Sequence, residues 1–393
     1  TGTNGKTTTC HLVTDILREA GHKVGMLTTA DFRIGETVMP NLHKMTSLNP
    51  FILQKFLRSM VEQHCTHAVI EVTSHAMDQS RLWGMNIDIA VFTNLTHDHL
   101  DYHGSEKEYL RSKGKLFALL NNTRRKPNVP KVAIINGDDP NAEYFEQFVA
   151  DRTYIYGLNK GSFQGLSPIF RADGSYFVFK VPNDQTDVNL PLPGRFNVEN
   201  ALAAATVGVA LSINLSTIQK ALENATPVPG RMEQIDEGQP YSLIVDYAHA
   251  PDSLTKLFSM FRELTAPPGR LMVVFGATGE RDRTKRPIMG QIAHRYADFI
   301  VLTDDDPYRE DPMAIQEEVA KGIPRKEGEG FWKVSSRRQA IRLALAVARA
   351  GDTVVIAGKG CEEFQVVGDE KIPSDDRAIV REILGRKVEV EIR

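Results

Sequence analysis

Two stretches of this chain carry residue types and spacings that could do chemistry on phosphate and metal. The first is Thr1-Gly2-Thr3-Asn4-Gly5-Lys6-Thr7-Thr8. Glycines followed by a lysine and a hydroxyl residue make a phosphate-binding loop. The backbone wraps the anion, successive N–H groups point at it, Lys6 brings a mobile positive charge, and the Thr7 hydroxyl can ligate Mg²⁺. The usual pattern has another glycine five residues before the Gly-Lys pair. That position would be 0, so the strand expected to lead into the loop would precede residue 1. A glycine turn with a surface lysine is the alternative, but the run Leu12, Val13, Ile16, Leu17 has the spacing of the helix that such a loop needs.

The second stretch is Thr96-His97-Asp98-His99-Leu100-Asp101-Tyr102-His103. Three histidines and two aspartates so close together suggest a metal site, with mutually satisfied loop polar groups as the plain alternative. The spacing comes near the H-x-H-x-D-H zinc pattern of metallo-β-lactamase hydrolases and misses by one residue, because Tyr102 stands where that pattern needs histidine. A metal-dependent hydrolase built on His97–His103 would leave the phosphate loop unexplained. Glu71 closes an apolar strand in the same region, where a carboxylate suits an oxygen-loving Mg²⁺; a strand-end glutamate in water is the competing reading. Lys113, on the helix after the histidine cluster, reads from spacing alone as a surface lysine.

A third concentration of charge lies later. Gly279-Glu280-Arg281-Asp282-Arg283-Thr284-Lys285-Arg286 gathers cations after a Gly-rich strand exit, and Asp305 and Asp306 sit at the next exit. Arginine suits bidentate capture of carboxylate or phosphate, and the aspartates could hold an amino group. Both signs of charge in one region fit an amino-acid ligand, with a solvated ion-pair network as the alternative.

The elements that must position these groups alternate. Val24–Leu27, 68–72, 87–92 and 131–135 read as apolar strands between helical segments such as 51–63, predicting a mostly parallel sheet. From 154 to 192 the pattern turns to short alternating strands, an antiparallel flap. Ala201 to Ile213 is an Ala-rich buried helix, too short to span a bilayer, which takes about 20 residues. Pro227-Val228-Pro229-Gly230 is the clearest linker. Beyond it, strands 242–245, 271–275, 299–302 and 353–356 each run into a polar or Gly-rich exit, the mark of a second doubly wound α/β domain. The fold expected is α/β: a P-loop ATPase domain over 1–229 and a Rossmann-like domain over 230–393.

Composition narrows the function classes. A net charge of −3 offers no broad basic face for nucleic acid, and three widely spaced cysteines point to a reducing compartment. The expectation is a cytoplasmic monomer with no membrane insertion.

Together these segments resemble the Mur ligases, in the branch that adds the third residue of the peptidoglycan stem. The matching stretches are the phosphate loop, Glu71-Val72-Thr73-Ser74-His75-Ala76, Asn94 through Gly104, Gly194-Arg195-Phe196-Asn197, Val245 through Leu254 and Gly358-Lys359-Gly360. The resemblance implies an ATP-dependent ligase that joins a diamino acid to UDP-N-acetylmuramoyl-L-Ala-D-Glu through an acyl phosphate. It implies that Gly2 through Thr8, with Asn197 and Asp246, bind ATP, and that Thr7, Glu71, His99 and Lys113 hold Mg²⁺, Lys113 as a carbamate. It also gives Lys6, Lys113, His99 and Glu71 the catalytic roles. Thr46, Ser47, Thr73, Gln79 and Arg81 correspond to contacts with the muramoyl-peptide, and Arg286, Asp305, Asp306, Gly358 and Glu362 to the amino-acid pocket.

The chain departs from the family in three places. The family's Asp-Asn-Pro-Arg, which selects meso-diaminopimelate, reads Asp305-Asp306-Pro307-Tyr308, so the added charge at Asp306 makes L-lysine a candidate, although Arg309 follows. Cys361 replaces the usual histidine of Gly-Lys-Gly-His-Glu. The family's N-terminal domain, which holds the uridine diphosphate, has no counterpart among these residues. Folylpolyglutamate synthase shares the two-domain plan, but the run Ala248-His249-Ala250-Pro251-Asp252-Ser253-Leu254 favours the muramoyl branch. ATP on one domain and amino acid on the other would require closure about the Pro227–Gly230 linker.

Overall fold

The computed structural model of the chain describes residues 1–41, 45–96, 100–171 and 173–390. These form two compact units, Thr1–Thr226 and Pro227–Arg393.

The first unit starts with α1 (Lys6–Glu19), β1 (Val24–Leu27), β2 (Asp31–Ile34), β3 (Thr37–Pro40), α2 (Pro50–Glu62) and β4 (His67–Ile70). It continues with α3 (Ser74–Asp78), β5 (Ile89–Phe92), α4 (Leu100–His103), α5 (Glu106–Asn122) and β6 (Val132–Asn136). The last elements are α6 (Ala142–Glu146), β7 (Arg152–Gly157), β8 (Phe163–Arg171), β9 (Gly174–Val181), β10 (Asp184–Leu190), α7 (Arg195–Ala210) and α8 (Leu215–Glu223).

Two sheets carry these strands, in the orders β3-β2-β1-β4 and β10-β9-β8-β7-β6-β5. The strands nearest the loop pair in parallel, β1 with β4 and β5 with β6 and β7. β1 and β6 are buried at every residue, as strands covered by helices on both faces must be. The antiparallel flap expected over this stretch is present and belongs to the larger sheet. β8 joins β7 in parallel, and β9 and β10 extend that same sheet. The Ala-rich α7 is buried along nearly its whole length, because its small side chains let it lie between α1 and the sheet. On the opposite face Phe92 stacks on Phe145, with ring centroids 3.9 Å apart.

The second unit holds β11 (Glu233–Gln234), β12 (Ser242–Asp246), α9 (Pro251–Leu264), β13 (Leu271–Phe275), α10 (Lys285–Tyr296), β14 (Phe299–Leu302) and α11 (Pro312–Ala320). Then come β15 (Phe331–Lys333), α12 (Arg337–Val347), β16 (Thr353–Ala357), the hairpin β17 (Phe364–Val367) and β18 (Glu370–Pro373), and α13 (Asp376–Val390). The sheet order is β11-β12-β16-β13-β14-β15, all parallel except the edge strand β11. Helix starts follow local chemistry: Asn49, Ser105, Asn214, Asp311 and Ser336 each accept a backbone N–H of the first turn. In each unit the polar exits of the parallel strands lie at the carboxyl ends of the strands, where ligands bind in such sheets.

Candidate active site

In the first unit the loop leads straight into α1. Residues 1–3 run beside the end of β5, with Thr93 N–H donating to the Thr1 carbonyl (3.0 Å) and Thr3 N–H to the Asn94 carbonyl (2.8 Å). Gly5 sits at φ +80° at the helix cap, and a Cβ there would come within 2.1 Å of Asn200 Oδ1. Only glycine fits that place. Asn200 on α7 also meets Asn197 Oδ1 (3.4 Å), so the expected nucleotide residue Asn197 is tied to the loop's supporting wall. Lys6 Nζ donates to the Thr3 carbonyl (2.7 Å), folding over the loop it belongs to. The side chains of Thr3 and Asn94 fix the rest: Thr3 Oγ1 meets the Tyr109 hydroxyl (3.2 Å), and Asn94 Oδ1 accepts Asn4 N–H (2.9 Å).

Glu71 lies one residue past β4 and is 2% exposed. Its Oε2 accepts the Thr7 hydroxyl (2.9 Å), the Thr29 N–H (2.8 Å) and the Thr29 hydroxyl (3.0 Å). Thr29 belongs to the site and was missed by sequence reading; its only signal was its place at the polar exit of β1. Lys113 is not the surface residue that spacing suggests. It is 1% exposed, on the same face of α5 as Tyr109, Leu116, Phe117 and Leu120. Its Nζ donates to the Gly2 carbonyl (2.7 Å) and stands 4.2 Å from the centroid of the Tyr109 ring. The i, i+4 spacing of Tyr109 and Lys113 ahead of the apolar Leu116-Phe117 pair was the signal for that face. His97, Asp98 and His99 lie outside the described residues. Among the described residues no group of three or more His, Cys, Asp and Glu side chains stands ready to hold a metal.

The expected muramoyl-peptide residues are brought together. Thr46 Oγ1 accepts the Thr29 hydroxyl (2.8 Å), Ser47 Oγ donates to the Glu71 carbonyl (3.1 Å), and Arg81 donates to the Ser47 carbonyl (2.6 Å) and to Gln79 Oε1 (2.9 Å). Thr73 caps α3 through the Ala76 N–H (3.2 Å). This cluster connects directly to Glu71.

In the second unit the candidates gather at the exits of β12, β14 and β16. Asp246 ends β12 and accepts the N–H groups of Met232 and Ala248, each at 2.7 Å. Burial pushes its carboxyl above the ordinary range, against the pull of Arg231 and these N–H groups. Gly358 has φ +115°, and a Cβ there would stand 2.6 Å from Asp305 Oδ2. That oxygen is buried and has no hydrogen-bond partner among the described residues. Burial alone would raise the Asp305 carboxyl, but Lys359, Arg337 and His249 outweigh it and hold it below the ordinary range.

Two of the expected pocket residues are already paired here. Asp306 does not offer a free negative charge, because its Oδ1 accepts the buried Lys359 ammonium (2.7 Å) and the Val366 N–H (2.8 Å). Lys359 also pairs with Glu362. Arg286 is 1% exposed and clamps Glu310 (2.9 and 3.0 Å) and Glu318 (2.8 Å). An exposed cation nearby is Arg281, whose guanidinium stands 5.9 Å from the Tyr308 ring centroid. Arg309, the other arginine near the altered motif, forms a surface fork with Asp369.

The donor set suits the groups that the sequence implies. Thr7 and Glu71 offer oxygen ligands side by side, as Mg²⁺ prefers. The Gly2–Gly5 cradle at the start of a long helix suits a phosphate. The orphaned Asp305 oxygen suits an ammonium group.

Residues 1–208 match the Mur ligase middle domain, and residues 230–360 match the Mur ligase glutamate ligase domain. This chain belongs to the Mur ligase family. It is 42% identical over 382 residues to the UDP-N-acetylmuramoyl-L-alanyl-D-glutamate–2,6-diaminopimelate ligase of Geobacillus thermodenitrificans (strain NG80-2), covering 97% of this chain and 77% of that protein. It is 40% identical over 395 residues to the UDP-N-acetylmuramyl-tripeptide synthetase of Roseiflexus sp. (strain RS-1), covering 98% and 77%. A solved structure of a UDP-N-acetylmuramoyl-L-alanyl-D-glutamate–2,6-diaminopimelate ligase superposes with a TM-score of 0.66 at 32% identity, covering 98% of this chain and 77% of that one. The Mycobacterium tuberculosis folylpolyglutamate synthase complexed with ADP and AMPPCP superposes with a TM-score of 0.70 at 18% identity, which is a likeness of fold. Membership in the Mur ligases makes this chain an ATP-dependent ligase, in place of the zinc hydrolase that the histidine cluster brought to mind. Among the described residues of the Mur ligase chain, no helix is long and apolar enough to cross a membrane.

Proposed function

We propose that this chain uses ATP and Mg²⁺ to join 2,6-diaminopimelate to UDP-N-acetylmuramoyl-L-Ala-D-Glu in the cytoplasm. The observation that carries the reading is the phosphate cradle with Thr7 bonded to Glu71, in a chain 42% identical to a ligase named for that reaction. The diaminopimelate choice over L-lysine has support in this pocket. Lys359 pairs with Asp306, so that carboxylate is not left to a ligand alone, and Arg281 beside Tyr308 is an exposed cation available to a second carboxylate.

The chemistry is acyl activation. A carboxylate is a poor acyl donor, since its oxide leaves badly. In-line attack of that carboxylate oxygen on the γ-phosphorus releases ADP and forms an acyl phosphate. The amine then attacks the acyl carbon, phosphate leaves, and one proton is lost to solvent. Loop N–H groups and Lys6 hold the phosphates, while Thr46, Ser47, Thr73, Gln79 and Arg81 orient the muramoyl-peptide. Thr7 and Glu71, with His99 and a carbamylated Lys113, would hold Mg²⁺, which offsets the repulsion between the two anions. Asp305 Oδ2 would receive the ammonium of the incoming amino acid.

The test is phosphate release by the full-length protein with UDP-muramoyl-dipeptide and ATP, comparing meso-diaminopimelate, L-lysine and L-ornithine. Release with diaminopimelate alone is expected. Release with none of the three overturns the reading, and a preference for L-lysine overturns the diaminopimelate assignment.

A further inference from the structure

His103 is buried, and both of its ring nitrogens face polar groups. Nε2 stands 2.9 Å from Ser74 Oγ. Nδ1 faces Ser112 Oγ and Asp78 Oδ2, each at 3.4 Å. Asp78 is held in turn by the Ser112 hydroxyl (2.8 Å) and by Lys115. Serine, histidine and aspartate in this order are the arrangement that activates a nucleophilic serine. Here Ser74 is 1% exposed, so no acyl donor reaches its hydroxyl. The histidine has a different use.

Its neighbours lie on two segments that carry candidate metal ligands, and one of them reaches a third. Ser74 starts α3, just after Glu71 and Val72-Thr73. Ser112 directly precedes Lys113 on α5. The Tyr109 ring, 5.2 Å from that of His103, carries the hydroxyl that meets Thr3 in the loop ending at Thr7. His103 itself closes α4, the helix that follows His99. One buried ring therefore touches α3 and α5 directly and reaches the phosphate loop through Tyr109.

We propose that His103 is the positioning residue of the Mg²⁺ site, fixing the segments of Thr7, Glu71 and Lys113 relative to one another. The proposal rests on the ligase reading above. Outer groups that orient ligands typically change metal affinity by about 10–100-fold when removed, although His103 acts on segments rather than on a ligand atom.

The test is Mn²⁺ binding by the full-length protein with AMPPCP, followed by electron paramagnetic resonance and without turnover. His103→Ala should weaken Mn²⁺ binding about tenfold. His103→Gln, whose amide can still meet Ser74, should recover part of that loss. In turnover assays the alanine variant should need more Mg²⁺ for half-maximal rate, with kcat regained at high Mg²⁺. If His103→Ala melts at a lower temperature but binds Mn²⁺ as wild type does, the proposal is overturned and the ring is packing alone. Should that variant fail to fold, Ser74→Ala and Ser112→Ala each keep the ring, and unchanged Mn²⁺ affinity in both overturns the proposal equally. Wild-type protein that binds no Mn²⁺–AMPPCP overturns the ligase reading and this inference with it; wild-type binding with unaffected variants overturns the inference alone.

Discussion

Lys359 Nζ stands 2.7 Å from Asp306 Oδ1, with both side chains buried at the strand exits of the second unit. Burial opposes the ammonium, but Asp305, Glu362 and Asp306 together raise its pKa, so it stays charged. Removing one partner of a buried pair leaves an uncompensated charge, which costs about 3–5 kcal/mol. Asp306→Ala should cost about 3 kcal/mol, the low end, because Glu362 still faces Lys359. Urea unfolding monitored by Trp332 fluorescence would measure it; a loss within error of zero would show that the pair contributes nothing.

Lys113 reaches the loop from α5 through the Gly2 carbonyl. Lys113→Ala removes that contact and a group proposed to hold Mg²⁺. Its kcat should fall about 10²-fold, the scale of losing one preorganised electrostatic group. Steady-state phosphate release decides this, and wild-type turnover in the variant would remove Lys113 from the site.

Gly5 has no room for a side chain, since a Cβ would meet Asn200 Oδ1 at 2.1 Å. Gly5→Ala should weaken AMPPCP binding at least about tenfold, because the left-handed backbone alone costs about 1–2 kcal/mol and the clash adds to it. Calorimetric titration reads the affinity. In Gly5→Ala/Asn200→Ala the clash is relieved and the backbone cost remains, so binding should recover only in part.

Glu318 is one of the carboxylates that should make the second unit sensitive to acid. Hydrogen bonds from Arg283, then Arg286, hold its carboxyl at about 2, against an ordinary value of 4.5. A depressed folded pKa gives stability that is complete above the unfolded value and lost as pH falls toward the folded one. The melting temperature of wild type should therefore drop between about pH 4.5 and 2. Glu318→Gln should start lower and lose less across that window. Parallel curves for the two proteins would contradict the assignment.

Burial pushes the Cys10 thiol up to about 12, and the Glu71 carboxylate adds to the shift. The thiolate is the reactive form. At pH 8 Cys10 should stay unalkylated by iodoacetamide in the folded protein and react after denaturation, as peptide mass mapping would show.

Much of this protein was legible in its residues. The phosphate loop is a local motif, so Gly2 through Thr8 announced it without the fold. The strands ending at Leu27, Phe275, Leu302 and Ala357 were legible because strands buried on both faces must be apolar throughout. Glu71, Asp246 and Asp305 were found as polar residues where apolar runs end. Tertiary structure decided what the charges do. Lys113 became a buried group only when α5 laid the face of Tyr109 and Leu116 against the loop, Asp306 lost its free charge to Lys359 from another strand exit, and Arg286 turned inward onto Glu310 and Glu318. Sequence spacing fixes which residues share a face or an exit. Whether a charge meets a ligand or a counter-charge depends on partners brought in by distant segments, and a local pattern holds no record of them.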